Sequence, residues 1–508
     1  MRRIRGLRAC LENAFGVQPS GCHGHQHAEA GTLTDSRSFA KRLSKHALSR
    51  IPASLAAICF AGTCVAAEPA QLAVSPPTNQ LALAVFDVDA TPPIGSMLAY
   101  DSVTNHWELG LRARGLVLIG AGPPIVLCAV DWIGIANDAH DEFRSRLAVV
   151  AGTTADRVAV HALHQHDAPD CDFSAERILR EAKVEPRQFE SAFQRRTLSE
   201  LERAVRDAVR RPQPLTHVGY GVARVEQVAS NRRIPGPDGK IRAVRYTACR
   251  DAALRAEPEG TIDPEVSVVS FWKGDRPLAV LSYYATHPQS YYRTGVPNPD
   301  FPGLARFFRQ LAVPAALHVH FTGAGGNIGA GKYNDGSPEN RVLLAQRLAD
   351  GMRRAWEATQ REPVTPATVG WDSLPVALPP AKDLDETRLM EQLSNGDSRF
   401  FTIGGPTRLA WIRRCLAGHR IDISCLRLGR ARILHMPGEL FVEYQLAAKA
   451  ERPDLFVAMA AYGDYGPWYI GTARAYEEGG YETTPPASNV SPEAERELLE
   501  AMRKLLAR

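Results

Sequence analysis

The chain has 508 residues, 44% hydrophobic and 23% charged, with 40 Gly and 36 Pro; these proportions exclude a disordered tail, a collagen and a coiled coil. Its formal charge of +4 belongs to the N-terminus, because residues 1–67 hold nine Lys/Arg against Glu12, Glu29 and Asp35, leaving 51 basic and 53 acidic residues beyond. With no basic excess in the body of the chain, no nucleic-acid partner is expected.

Lys41, Arg42, Lys45 and Arg50 precede small and apolar residues from Ile51 to Ala67, which end Val-Ala-Ala before Glu68. A basic segment, an apolar run and small residues before a cut are the parts a signal peptidase reads. Residues 1–67 are therefore expected to be an N-terminal extension and signal peptide. The chain is expected to be exported, to the periplasm or the extracellular space, after cleavage near Ala67. No later apolar stretch approaches the ~20 residues of a membrane span.

Beyond the leader, Leu81 to Asp89 alternates like a strand and stops at Thr91-Pro92-Pro93. Further strands are predicted over 113–119, 125–131, 157–163, 215–224, 265–272, 278–285, 316–321, 423–436 and 455–461. Helical spacing covers 137–150, 186–211, 302–311, 338–358, 438–450 and 492–507, and 362–382 reads as a Pro-rich crossing. This alternation indicates an α/β (mixed α+β) fold with mixed β-sheets flanked by helices, in one large domain over 80–508. Five cysteines lie beyond the leader without CxxC spacing, which argues against a Cys-based zinc site. Cys415 and Cys425 flank a short polar stretch and could pair in an oxidising compartment.

There is no G-x-S-x-G elbow and no H-E-x-x-H. Gly326 to Lys332 imitates a phosphate loop, but Tyr333 stands where a magnesium-holding Ser or Thr is needed and no helix is predicted to follow directly, so nucleotide binding is not expected. The informative cluster is histidine at strand ends. His164 and His166 close the strand at 157–163 and share a face; His287 ends Tyr283-Tyr-Ala-Thr-His287 before Pro288; Glu439 follows the strand ending Leu434-His-Met-Pro-Gly438 and opens a helix. Three strand ends offering His164, His287 and Glu439 could meet at one sheet edge. Two neutral imidazoles and a carboxylate suit zinc, with a position open for a water of lowered pKa. The competing reading of any single histidine is a hydrogen-bonded structural residue, which is how His106, His161, His318, His320 and His435 are taken.

At these segments the sequence resembles the neutral ceramidase family, the neutral/alkaline non-lysosomal N-acylsphingosine amidohydrolases, and most of all bacterial proteins with only its N-terminal domain. The resemblance spans about residues 80–508. It is carried by Asp89 to Gly95 (D-x-T-P-P-x-G), Leu111 to Val117, Ala129 to Gly134, His164 to Pro169 (H-T-H-S-G-P), Asn231-Arg232-Arg233 (N-R-S), His287-Pro288 (C-H-P), Pro437-Gly-Glu439 (P-G-E), and Tyr469 to Tyr476 with Tyr481-Glu482. It implies zinc held by His164, His287, Glu439 and Tyr469, with His166, Arg232 and Tyr481 around the scissile amide, and Tyr469 also stabilising an oxyanion. The sequence departs from the family at Gln165, Asp167-Ala168 and Asn327, and its end soon after Tyr481 leaves no room for the C-terminal immunoglobulin-like domain. The implied function is an exported zinc amidohydrolase acting on a small-molecule or lipid amide, with at most transient contact with a membrane surface. The alternatives are a zinc esterase or lactonase and a non-catalytic secreted binding protein.

Overall fold

The computed structural model describes residues 80–508 apart from Glu108 and Ile403; the expected leader and signal peptide lie outside the described residues. Among the described residues three large sheets, each with helices on one face, share a common core, beside several two-stranded pairs. The first contains β1 (Ala82–Asp89), β2 (Arg112–Ile119), β3 (Ile125–Val130) and β4 (Val158–Ala162) in the order β4-β3-β2-β1, with Gln213–Pro214 at its edge. Helices α1 (Asn137–Ala151) and α3 (Ala192–Val209) cover it, and α2 (Phe173–Glu181) lies between them in the chain. The spacing of Leu198, Leu201, Val205 and Val209 puts an apolar stripe of α3 against the sheet and leaves its charged residues outward.

The second sheet runs β8-β7-β6-β5-β9, from β5 (His217–Arg224), β6 (Glu265–Lys273), β7 (Arg276–Tyr284), β8 (Leu317–Thr322) and β9 (Gln360–Pro363). It is faced by α4 (Asp300–Ala312) and α5 (Pro338–Glu357). The third is β10-β11-β12-β13, from β10 (Val369–Val376), β11 (Ile421–Leu428), β12 (Ala431–His435) and β13 (Phe456–Ala460). It packs among α6 (Glu386–Ser394), α7 (Gly405–Leu416), α8 (Val442–Glu451) and α9 (Ala494–Leu506). The inner faces meet in one cluster that includes Leu116, Leu127, Phe271, Leu281, Phe321, Leu426 and Ile433. Each such side chain contributes about 1.5–3 kcal/mol on full burial.

This is a mixed α/β architecture with mixed sheets flanked by helices, and among the described residues no helix is long and apolar enough to cross a membrane. Several local expectations change. The stretch 423–436 is two strands, β11 and β12, turned at Gly429 (φ +51°), and the crossing at 362–382 contains β10. The helix expected from 438 begins at Val442, because Glu439–Leu440 pairs in parallel with Tyr469–Ile470. The helix expected from 186 begins at Ala192, after a 3-10 turn at Arg187–Phe189. Helices α2, α6 and α7 were not expected. Cys415 and Cys425 are not paired; both are free, Cys415 on α7 and Cys425 on β11.

Candidate active site

Each of the three large sheets contains one parallel pair, β3/β4, β7/β8 and β12/β13, and the sequence-predicted site residues follow the C-terminal ends of β4, β7 and β12. Hydrogen bonds tie these ends together: Ala162 N donates to Tyr462 O at 2.9 Å, Ala461 N to Thr322 O at 2.9 Å, and Thr322 Oγ1 to Leu163 O at 2.8 Å. The side chains of His164, His166, His287 and Glu439 consequently reach one place, as at other sheet-edge sites.

His164 sits in the left-handed region at φ +70°, a conformation costing about 1–3 kcal/mol for a residue with a Cβ. It is held by its main-chain N–H on Trp132 O at 2.9 Å and by a stack on the Tyr462 ring at 4.5 Å. Its Nδ1 faces the Ile133 carbonyl at 2.7 Å, and His287 Nδ1 faces the Gly325 carbonyl at 3.3 Å. A ring nitrogen facing a carbonyl carries the hydrogen, so both Nε2 atoms present lone pairs. Those atoms are 3.2 Å apart, and Glu439 Oε2 lies 3.2 Å from the first and 3.8 Å from the second. Glu439 is buried and, among the described residues, its Oε2 has no hydrogen-bond donor. Burial, then the neighbouring His164 and Arg232, holds the His287 pKa well below its ordinary value, so this ring stays neutral. Buried electron-rich atoms converging without hydrogens are unfavourable unless a cation lies among them; the donor set fits zinc.

His166 adds a third imidazole: its Nε2 is 3.2 Å from His287 Nε2, and ring nitrogens of His164, His166 and His287 all lie within 4.8 Å of one another, so this trio could also hold a metal. On the other side of the ring, His166 Nδ1 receives the Gln289 amide at 3.1 Å and stands 3.4 Å from the Tyr100 hydroxyl. With Nδ1 engaged by Gln289, Nε2 is the His166 nitrogen that faces the cluster. Burial, His164 and Arg232 lower its pKa well below the usual value.

Tyr469 stacks near His287, with ring centres 6.3 Å apart, and its hydroxyl accepts from Arg232 Nη1 at 3.3 Å. Burial raises the Tyr469 pKa well above the ordinary phenol value, partly offset by Arg232, so the hydroxyl keeps its hydrogen. Burial works to lower the Arg232 pKa, but Tyr469, Glu482 and Glu439 more than offset it and Arg232 remains a cation. Its Nη2 pairs with Glu482 Oε1 at 3.1 Å, and Arg233 Nη1 holds the other oxygen of that carboxylate at 3.2 Å. Tyr481 stands at the rim with its edge against Tyr469, ring centres 5.8 Å apart. All seven sequence-predicted residues are thus in one neighbourhood, with Tyr469, Arg232 and Tyr481 lying beyond the histidine–glutamate centre.

No protein-family model matches the chain, and no curated protein matches its sequence. Among solved structures it is similar to a neutral ceramidase from Pseudomonas aeruginosa, at 17% identity and a TM-score of 0.60 over 85% of this chain and 75% of that one. It is also similar to a ceramidase complexed with C2, at 17% identity and a TM-score of 0.62 over 84% and 75%. The fold is neutral-ceramidase-like.

Within this fold, several residues around the centre were not singled out from the sequence. Tyr465 donates its hydroxyl to Glu439 Oε1 at 2.7 Å and so orients the carboxylate. Glu482, fully buried, pairs with both Arg232 and Arg233, and Glu478 is a second partner of Arg233; for Glu482, its place in the Tyr481-Glu482 pair was the available signal. Asp131, directly after β3, takes Arg306 in a two-pronged pair at 2.7 and 2.6 Å while its carbonyl accepts the Gln165 amide at 2.7 Å, pinning the residue between the two histidines. The imitation phosphate loop has a structural use: Lys332 Nζ donates to main-chain carbonyls of Arg255 and Glu257. His106, His161, His318, His320 and His435 make hydrogen bonds or pack elsewhere and do not belong to the cluster.

Proposed function

We propose that the chain is an exported zinc-dependent hydrolase of amide bonds, acting on an N-acyl amine or ceramide-like substrate. Water adds across the C–N bond, giving a carboxylate and an amine. The observation that carries this reading is the buried convergence of two hydrogen-free imidazole nitrogens and an undonated carboxylate oxygen; the neutral-ceramidase-like fold supports it.

His164, His287 and Glu439 would hold the metal, with Tyr469 as the further ligand the family resemblance implies. Bound there, zinc polarises a carbonyl and brings the pKa of a water down toward neutrality. The Tyr469 hydroxyl, kept protonated by burial, can donate to oxygen that gains negative charge as the carbonyl is attacked. Arg232, fixed by Glu482, keeps a positive charge beside that hydroxyl. His166 faces the same space with a neutral ring, suited to moving a proton between water and the departing amine. Tyr481 covers the substrate from the rim.

Metal analysis of purified protein tests the first half: about one equivalent of zinc is expected, lost in His287→Ala. Metal far below one equivalent, unchanged by the substitution, would overturn the metal reading. Labelled ceramide assayed beside short N-acyl amines and esters tests the second half. Turnover confined to esters would move the assignment to an esterase or lactonase. A zinc-loaded protein inert on every substrate would make it a binding protein.

A further inference from the structure

Beside His166 the chain builds a wall of aromatic rings with a cation on top. Tyr100 stacks on His166 with ring centres 5.7 Å apart, and Tyr292 meets His166 edge-on at 5.3 Å. The two tyrosines contact each other at 5.1 Å, and they remain 43% and 38% exposed. The Arg293 guanidinium carbon sits 5.2 Å from the Tyr100 ring centre and 5.6 Å from that of Tyr292. One ring therefore separates this charge from the histidine at the reacting centre.

The position is imposed on the backbone. Arg293 has φ +63°, in the region that disfavours a residue with a Cβ. Buried Asp167, next to His166 in sequence, holds it there. One carboxylate oxygen accepts Arg293 N at 2.8 Å and Thr294 N at 3.2 Å; the other accepts Thr294 Oγ1 at 2.7 Å and Asn298 Nδ2 at 3.2 Å. Asp101 ties the next residue, accepting Gly295 N at 3.0 Å. Asp167 has both oxygens occupied in holding the loop; Asp101 uses only Oδ2 there, and its charge is felt at Arg293, but among the described residues no carboxylate lies within ion-pairing distance of the Arg293 guanidinium. Arg232, on the Tyr469 side of the centre, is by contrast already paired with Glu482. A solvated arginine backed by two aromatic faces is oriented to meet a planar anion with its fork of N–H donors.

We propose that Arg293 binds a carboxylate of the substrate, so that the site prefers N-acyl amines bearing an acid group to neutral lipid amides. This rests on the amidohydrolase reading above. The test compares two matched pairs with the zinc-loaded full chain: an N-acylglycine against the N-acylethanolamine, and an N-succinyl amine against the N-butyryl amine. In at least one pair the acid is expected to have the higher kcat/KM, chiefly through KM. Arg293→Gln is expected to reduce that preference by about ten- to a hundredfold, the usual worth of a charged hydrogen-bonded contact, whereas Arg293→Lys retains part of it. Equal rates within both pairs, or a preference that survives Arg293→Gln, would overturn the proposal while leaving the amidohydrolase standing. Calorimetric binding of the same acids supplies a readout independent of turnover. If no amide is cleaved, the amidohydrolase reading fails, and Arg293 is still tested by whether Arg293→Gln weakens acid binding tenfold or more; no change there refutes its role.

Discussion

Tyr465→Phe is expected to weaken zinc binding without disturbing the fold. Glu439 divides its two oxygens between two tasks: Oε2 faces His164 and His287, while Oε1 takes the Tyr465 hydroxyl at 2.7 Å. Burial, followed by Glu439 itself, raises the Tyr465 pKa well above the ordinary phenol value, so the hydroxyl is a dependable donor. Removing it leaves Oε1 with no donor from Tyr465 and frees the carboxylate to turn. A hydrogen bond to a charged group contributes about 1.5–3 kcal/mol, and loss of an orienting partner of a metal ligand typically costs 10–100-fold in affinity, which converts to about 1.4–2.7 kcal/mol. The two routes agree. Tyr462→Phe is the matched control, since Tyr462 stacks on His164 but its buried hydroxyl has no hydrogen-bond partner among the described residues; it should bind zinc within about twofold of the parent. Competition with a chromophoric chelator at fixed pH measures both. Equal affinities for the two variants would refute the assignment of Tyr465 as the residue that orients Glu439.

Three further outcomes follow from the same geometry. Arg306→Met strands the Asp131 carboxylate, with both side chains at 3% exposure or less, and should cost about 3–5 kcal/mol in denaturant unfolding; adding Asp131→Leu should recover much of it, and a single-variant cost below about 1 kcal/mol would refute the buried pair. A Cβ on Gly326 would lie 2.3 Å from the Glu439 carbonyl oxygen, so Gly326→Ala should displace Glu439 and reduce zinc content in folded protein, whereas full zinc occupancy would show that the backbone yields at no cost to the centre. Burial lowers the pKa of His140, His318 and His320 to about 3 and of His161 to about 4. Because these values lie below the unfolded value of about 6.5, the unfolded chain takes up protons first. The stability these groups contribute is present above pH 6.5 and is lost as pH falls, by up to about 1.4 kcal/mol per pH unit for each. His320→Asn should flatten the fall in unfolding free energy between pH 6.5 and 4.5 by that amount, and parallel curves would count against it.

The strands and helices that proved readable, such as β1, α1, α5 and the strand leading to His164, carry strong periodicity or end at Pro or Gly, signals written within a few residues. The histidine-bearing strand ends were legible for the same reason, since each is an apolar run that stops at polar residues, with proline directly after His287 and five residues after His164. Local pattern could not show that 423–436 folds back at Gly429, nor that Glu439–Leu440 pairs with Tyr469–Ile470 thirty residues later. Helix α8 consequently starts later than periodicity suggests.

Residue type and order alone made His164, His287 and Glu439 a candidate donor set, because imidazole and carboxylate chemistry is independent of fold. Only the tertiary structure decided which nitrogen of each ring is free, since that depends on the carbonyls of Ile133 and Gly325, contributed by other segments. The same holds for Tyr465, Glu482 and Arg293, whose neighbours at the centre are far away in the chain. Hydrogen bonds and charge pairs act through space over a few ångströms, and the chain brings such partners together only by folding.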